Sequence, residues 1–218
     1  MLMYGKNTCP QVAGIFAWYK VSIFSIHKRP VGEEGLKIKN RSLTASLKQF
    51  AYTLGIDLVG IAGADRFEKA PVGHRPEDLL PNAKAVVVVA IKQPEAMFFT
   101  TKPSIYTRSV FSIAARLDQH VTLDLARFLE QKGSNSLPIP TRNPFMEENM
   151  GDFSHKHAAV LAGLGEMGVN TLPITPHYGN RVWLSSVVTE ALLVPDSPLT
   201  EKLCKIVEYA REPGLLEL

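Results

Sequence analysis

The residues best suited to contact a ligand lie in the segment AGLGEMGVNT, in the second half of the chain. Gly163, Gly165 and Gly168 stand within six positions of one another there. Glycine lets the backbone approach a bulky ligand closely, because it has no side chain in the way. Tight turns between a helix and a strand use glycine for the same steric reason. The spacing therefore leaves two roles open, a ligand-contacting loop and a plain turn.

The same glycines match the GxGxxG spacing of dinucleotide-binding loops. That motif requires a strand before the glycines and a helix after them. Here the predicted order is the reverse, because Ser154 can cap a helix through Leu161 and apolar runs typical of strands follow at 172–175 and 182–190. We therefore expect no Rossmann-type nucleotide site at this loop.

The cysteines predict neither a disulfide framework nor a zinc site. The sequence has two of them, Cys9 and Cys204, far apart and in unlike stretches. Disulfide scaffolds and zinc sites show paired or closely spaced cysteines. We therefore expect a reduced, cytoplasmic protein.

Charge is distributed unevenly along the chain. The 218 residues carry a net charge of +3, to which the first 41 contribute +5 and the rest −2. Nucleic-acid binding normally needs a basic footprint over the folded body, so such a partner is not expected unless a local patch supplies one. The apolar run from Val12 to Ile26 contains Lys20 and is too short and too charged to span a bilayer, so no membrane partner is expected either. We interpret residues 1–41 as an N-terminal extension and linker.

Helix and strand patterns from Ser42 onward predict an α/β fold. The first helix is predicted from Ser42 to Gly55, with Ser42 or Thr44 as its cap. The run Val86–Val89 lacks polar residues, which is typical of a central strand covered on both faces. The other predicted elements are a strand at 56–62, a helical turn at PEDLLP, a long helix from Val110 to Gln131, and an edge strand at 136–141, whose prolines cannot donate to a ladder.

The glycine-rich stretch resembles a known family. AGLGEMGVNTLPITPHYG is similar to the segment in which epoxyqueuosine reductases and the related corrinoid reductive dehalogenases place alanine-glycine-leucine-glycine, then isoleucine-threonine-proline, then tyrosine-glycine. LLVPDSPL resembles the leucine-proline-aspartate turn that follows in that family. LGIDLVGIA and LLPNAKAVVVVAI resemble its opening helix-strand unit and pre-strand turn, so the similarity covers about residues 42–204.

This resemblance implies both a fold and a cofactor. It implies a nitroreductase-like α/β (α+β) domain at 42–200, a mixed sheet with flanking helices, that holds a cobalamin against the glycine-rich loop. A corrin is a wide, flat, amide-fringed ring, so contact with it needs residues without bulky side chains and groups that hydrogen-bond amides. The residues assigned in this way to cofactor binding are Gly163, Leu164, Gly165, Gly168, Asn170, Thr171, Thr175 and Tyr178.

The resemblance also implies a proton donor. The family places an acidic general acid ahead of the glycines, and by counting that place falls near Asn149. Asp152, His155 and His157 are the nearby catalytic candidates, because reductive cleavage of a C–O or C–halogen bond needs a proton. Asp152 is equally placed to cap the helix with Ser154, and a spacing of two puts the two histidines on different helix faces.

The chain departs from the family pattern in its loop and after it. Glu166 and Val169 stand where epoxyqueuosine reductases usually have tryptophan and lysine, so substrate contacts there are not carried over. Cys204 stands where the first cysteine of the family's cluster module would be, and no other cysteine follows it. One thiolate cannot hold a 4Fe–4S cluster, so none is expected in this chain and Cys204 is interpreted as a vestigial ligand position. Residues 201–218 are predicted to form a helical tail instead.

Three functions follow as hypotheses. The first is an epoxyqueuosine reductase-like oxidoreductase that binds a corrinoid, acts on a modified nucleoside or another small reducible molecule, and takes electrons from an external electron-transfer protein. The second is a non-catalytic or truncated remnant of an iron–sulfur reductase. The third is a flavin-binding nitroreductase-like protein, because flavin sites also use backbone contacts.

Overall fold

The computed structural model describes residues 33–141 and 151–203. The described helices are α1 (Glu33–Thr53), α2 (Pro76–Leu79), α3 (Pro103–Arg116), α4 (Thr122–Gln131) and α5 (His155–Leu161). The strands are β1 (Leu58–Gly63), β2 (Ala85–Lys92), β3 (Ser136–Ile139), β4 (Glu166–Met167), β5 (Pro173–Ile174) and β6 (Val182–Thr189). Short 3₁₀ turns cover Ala64–Phe67 and Glu95–Phe99, and a π-helical turn at Leu117–Val121 joins α3 to α4.

Four strands form the main sheet, in the order β1-β2-β6-β3. The predicted central strand is confirmed, since β2 lies between β1 and β6 and Val86–Val89 are all fully buried. The predicted edge strand is also confirmed, because β3 stands at the end of the described strand order, next to β6. Every described strand pair in this sheet is antiparallel. A mixed sheet, as predicted, would also contain parallel pairs, and the described strands form none.

Helices cover both faces of the sheet and create two hydrophobic cores. The first core packs α1 and α4 against one face, through residues such as Leu47, Leu125 and Val87. The second core packs α5 against the other face and includes Val88 and Ala158. Alternate residues of β2 therefore enter different cores, which explains its unbroken valine run. The α/β class with flanking helices is confirmed.

The first helix begins earlier than predicted. It starts at Glu33 rather than Ser42, so residues 33–41 belong to α1 and not to a linker. Neither proposed residue caps it: Thr44 lies inside the helix, donates to the Asn40 carbonyl at 2.7 Å and accepts the Val194 N–H at 2.9 Å. The end at Gly55 is confirmed, with a φ of +76° that favours glycine. The rest of the predicted extension, residues 1–32, lies outside the described residues.

The chain after β6 forms a strap along β1, which we define as residues 193–203. Asp196 donates its N–H to the Ile61 carbonyl at 2.8 Å, and its carboxylate accepts the Ile61 N–H at 2.9 Å. Lys48 of α1 binds the same carboxylate at 2.6 Å. The strap thus satisfies backbone groups of an edge strand that would otherwise be open to pairing.

Candidate functional site

A cavity of about 400 Å³ lies where β2 ends and β6 begins. This volume falls within the range of small-molecule sites. Its lining comes from widely separated parts of the chain: Gln93, Phe98, Tyr106, Thr141, His155, Lys156, Leu172, Pro173 and residues 180–184. The cavity is the candidate functional site.

The short length of β3 leaves room for this cavity. β3 pairs with residues 186–189 of β6, whereas β2 pairs with the whole of β6. Residues 182–185 therefore have no ladder partner in β3, although the Ser185 hydroxyl donates to the Ile139 carbonyl at 3.2 Å. The N–H of Gln93 donates to the Arg181 carbonyl at 2.9 Å, so the main-chain groups of Arg181 face β2. Along an antiparallel strand, successive residues direct these groups alternately to one neighbour and the other. The main-chain N–H and C=O groups of Val182 and Leu184 therefore point away from β2. These groups lie on the open side of β6, beside the cavity.

One wall of the cavity combines aromatic rings with polar groups. Gln93 is only 5% exposed, and its side-chain oxygen accepts the Tyr106 hydroxyl at 3.4 Å. The indole N–H of Trp183 is buried and has no hydrogen-bond partner among the described residues. Burying such a donor unpaired costs about 1–3 kcal/mol. An acceptor supplied by a ligand would remove that cost.

His155 lies on the opposite side of the cavity and is held by two hydrogen bonds. Its Nε2 is 3.1 Å from the Pro140 carbonyl and its Nδ1 is 2.9 Å from the Ser186 hydroxyl. A carbonyl only accepts, so Nε2 carries the proton and Nδ1 accepts from Ser186. Desolvation lowers the pKa of His155 from 6.5, opposed by the Pro140 hydrogen bond and the charge of Asp118. Because both ring nitrogens are engaged, we assign His155 an anchoring role in the cavity wall.

The lowered pKa of His155 predicts a specific pH dependence of stability. Below pH 6.5 the unfolded chain binds a proton at this position more readily than the folded protein, so stability is lost as the pH falls below that value. Thermal melting of the wild type and of His155→Gln, measured from pH 7.5 to 5, should show a steeper loss in the wild type. Parallel curves would contradict a neutral His155 in the folded state.

The structure brings only one of the three predicted proton donors to the cavity. Asp152 is exposed and does not line it, and its main-chain oxygen accepts from His74 at 3.1 Å. His157 is exposed, with Nδ1 2.7 Å from the Ser154 hydroxyl. Ser154 is confirmed as the cap of α5, because its hydroxyl accepts the His157 N–H. A proton-donating role for Asp152 or His157 stays a prediction without support from their positions.

Other segments of the chain pack closely against the glycine-rich loop and leave no room for side chains at two of its glycines. A Cβ added at Gly163, whose φ is +75°, would lie 2.3 Å from the Ser197 carbonyl oxygen of the strap. One added at Gly165 would lie 2.3 Å from the Ile174 carbonyl oxygen, and one at Gly168 would lie 2.9 Å from Ile174 Cδ1. Gly163 and Gly165 are therefore required for backbone packing, the second role that their spacing left open, whereas a methyl group at Gly168 would first meet the ends of the Asn170 and Ile174 side chains. The loop reaches the cavity through its end, at Leu172 and Pro173.

The other residues assigned to the cofactor stabilise the loop. Leu164 is buried in the second core, and Thr171 has a φ of +59°. The Asn170 side chain accepts the Leu172 N–H at 3.1 Å, the buried Thr175 hydroxyl accepts the Tyr178 N–H at 3.1 Å, and Lys92 lies 5.6 Å from the centre of the Tyr178 ring. Since none of these predicted residues lines the cavity, contact with a cofactor there stays a prediction.

Glu166, a loop residue that differs from the family pattern, has a structural contact with the strap. Its carboxylate accepts the N–H of Leu203 at 2.5 Å, which ties β4 to the end of the strap. Val169, the other departure, is 66% exposed. The loop and the strap thus form one packed unit.

The described residues form neither a metal centre nor a membrane-spanning helix. Across 33–141 and 151–203, no group of three or more His, Cys, Asp and Glu side chains is arranged to hold a metal ion. Cys204 and the rest of the predicted tail lie outside the described residues. No helix in the described part of the chain combines the length and hydropathy needed to cross a bilayer.

Comparison with known sequences gives relatives of one kind, although no family model matches the chain. The epoxyqueuosine reductase of Staphylococcus aureus is 24% identical over 195 residues, which cover 77% of this chain and 50% of the relative. The epoxyqueuosine reductase of Bacillus subtilis is 27% identical over 190 residues, 74% of this chain and 47% of the relative. The chain thus spans about half the length of the curated relatives it matches.

Solved structures show the same fold. An epoxyqueuosine reductase crystallised with a tRNA-Tyr epoxyqueuosine-modified stem loop matches 74% of this chain and 48% of its own, with a TM-score of 0.50 and 20% identity. A reductive dehalogenase described as B12-dependent matches 75% of this chain and 22% of its own, with a TM-score of 0.55 and 20% identity. The chain is therefore similar in sequence to epoxyqueuosine reductases and shares its fold with them and with a corrinoid reductive dehalogenase, which confirms the resemblance.

Proposed function

We propose that this chain is the corrinoid-binding part of a reductase similar to epoxyqueuosine reductases. The observation that carries the proposal is the sequence similarity to those enzymes, which extends over about three quarters of the chain. The shared fold with a B12-dependent dehalogenase supports the same choice of cofactor.

The lining of the cavity fits a corrinoid in chemical character. Phe98, Leu172 and Leu184 offer apolar surface to the flat face of a macrocycle. Gln93 and the unpaired Trp183 N–H lie beside them, and amide-fringed rings need such hydrogen-bonding groups. A bound corrinoid would supply a reducible cobalt centre. The described residues would hold the ring, exclude water from it and orient its amides.

Positive charge at the cavity supports a nucleotide-like substrate. Lys156 and Arg181 both line the cavity, and Arg181 lies 3.3 Å from Glu95 and 5.8 Å from the centre of the Phe98 ring. Cations placed like this can contact phosphate oxygens. A solved relative carries a modified tRNA stem loop, so a modified nucleoside within RNA is the substrate class that we propose. No nucleic-acid partner is expected from the sequence unless a local basic patch is present. We propose that Lys156 and Arg181 are such a patch.

Electrons for the reduction are proposed to come from a separate donor. The sequence contains two cysteines, whereas a 4Fe–4S cluster is held by four. We predict that the purified chain holds no cluster after anaerobic reconstitution with iron and sulfide. Iron and acid-labile sulfide assays should give values near the blank. About four of each per chain would contradict this prediction.

Cofactor choice is tested by a titration with two ligands. Hydroxocobalamin and flavin mononucleotide are added separately to the purified chain, and binding is followed by absorbance and by retention on a desalting column. We expect saturable binding of the corrinoid at one per chain and none of the flavin. Binding of flavin alone would favour the nitroreductase-like alternative, and binding of neither would contradict the proposed function.

A further inference from the structure

We propose that Asp118 is a positioning residue for the cavity and that it acts by holding Thr141 in the cavity wall. The proposal rests on the proposed function, because the ligand used to test it is a corrinoid. Neither the glycine-rich motif nor the other residues assigned to the site include Asp118, which lies in the π-helical turn between α3 and α4.

Both carboxylate oxygens of Asp118 bind one residue. Oδ1 accepts the main-chain N–H of Thr141 at 2.9 Å, and Oδ2 accepts the Thr141 hydroxyl at 2.9 Å. Two hydrogen bonds to different atoms of one residue fix its orientation as well as its position, and bonds to a charged acceptor are stronger than neutral ones. Thr141 itself lines the cavity.

The neighbouring residue is held from the opposite layer of the fold. The Pro140 carbonyl accepts from His155, which belongs to α5 on the second core. Asp118 belongs to a turn whose Leu117 and Val121 are buried in the first core. Pro140 and Thr141, the two residues that follow β3, are therefore held by hydrogen bonds from elements on opposite faces of the sheet.

Asp118 lies in a π-helical turn that has its own stabilising contacts. The main-chain N–H of Thr122 donates to the Leu117 carbonyl five residues back, and the Thr122 hydroxyl donates to the same oxygen at 3.0 Å. The wide turn is thus stabilised by a buried side chain, since Thr122 is only 1% exposed. Such turns inside helices occur often at functional sites. Among the described residues Asp118 forms no salt bridge, and the hydrogen bonds of its carboxylate there are the two to Thr141.

A set of matched variants tests this role. Asp118→Ala removes both acceptors, whereas Asp118→Asn keeps an oxygen for the Thr141 N–H and offers an amide donor to the hydroxyl. Asp124→Ala is the control, because Asp124 lies in α4 and its ion pair within the described part of the chain is an exposed one, with Arg127 at 3.6 Å. We expect Asp118→Ala to raise the Kd for hydroxocobalamin roughly tenfold, and Asp118→Asn and Asp124→Ala to bind within about threefold of the wild type.

Equal Kd values for Asp118→Ala and the wild type would overturn the proposal, as would equal losses in the Ala and Asn variants. If Asp118→Ala does not fold, Thr141→Val carries the test, because it removes the hydroxyl half of the contact and should still weaken binding.

Hydrogen exchange separates this proposal from the proposed function. If the wild type binds no cobalamin, the proposed function fails, but the exchange rate of the Thr141 amide still reports on the contact with Asp118. We expect this amide to be protected in the wild type and in Asp118→Asn and to exchange faster in Asp118→Ala. An unprotected Thr141 amide in the wild type would overturn the positioning role.

Discussion

Gly165→Ala is expected to destabilise the protein by about 2–3 kcal/mol in the absence of any ligand. The new methyl group would lie 2.3 Å from the Ile174 carbonyl oxygen and 2.8 Å from its carbon, so backbone atoms of β5 would have to move. For a domain of this size the loss corresponds to a fall in melting temperature of roughly 5–10 °C. Thermal melting of the apo protein measures it.

Gly151→Ala is the matched control for this prediction. Its added methyl group would lie 3.7 Å from the Phe153 carbonyl oxygen, which is an ordinary contact. We expect its melting temperature to stay close to that of the wild type. If Gly165→Ala melts like the wild type and loses only cobalamin affinity, the glycine contacts a ligand and not the chain.

Leu184→Trp is expected to weaken cobalamin binding by filling part of the cavity. Leu184 is half-buried on the open side of β6, where a larger ring takes space that a ligand would occupy. We expect the Kd for hydroxocobalamin to rise at least tenfold, a loss of about 1.4 kcal/mol or more. Absorbance titration measures the change.

Two further tryptophan variants complete this experiment. Asn180→Trp also adds bulk to the lining, at an exposed position where the fold tolerates it, and should weaken binding too. Leu192→Trp places the same ring at an apolar residue that is 48% exposed and outside the cavity, and should bind like the wild type. Full affinity in both cavity variants would show that the corrinoid binds elsewhere.

Elements with a local signal were predictable from the sequence. The run Val86–Val89 is typical of a strand covered on both faces, and Ser154 is a residue type that caps helices. The first nine residues of α1 were missed because residues 34–41 are mostly exposed and have no apolar period to reveal a helix. The resemblance to epoxyqueuosine reductases predicted the fold class for the remainder.

The cavity residues carried no local signal. Gln93 and Trp183 are 90 positions apart, and they become neighbours only because β2 pairs with β6 in a register that places Ile91 opposite Trp183. The glycine-rich loop was singled out correctly as a special backbone segment. Its role was ambiguous, because a residue without a side chain admits a ligand and another stretch of backbone equally well.

The most direct test of a corrinoid in this cavity uses the indole N–H of Trp183. The sequence has two tryptophans, so a ¹⁵N–¹H spectrum of the protein has two indole signals, and Trp183→Phe assigns them. Adding the paramagnetic corrinoid cob(II)alamin to saturation should broaden or shift the Trp183 signal strongly, because this buried donor lies beside the cavity. A Trp183 signal that is unchanged while cob(II)alamin is bound would contradict the placement of the cofactor, and an absence of binding would contradict the proposed function itself.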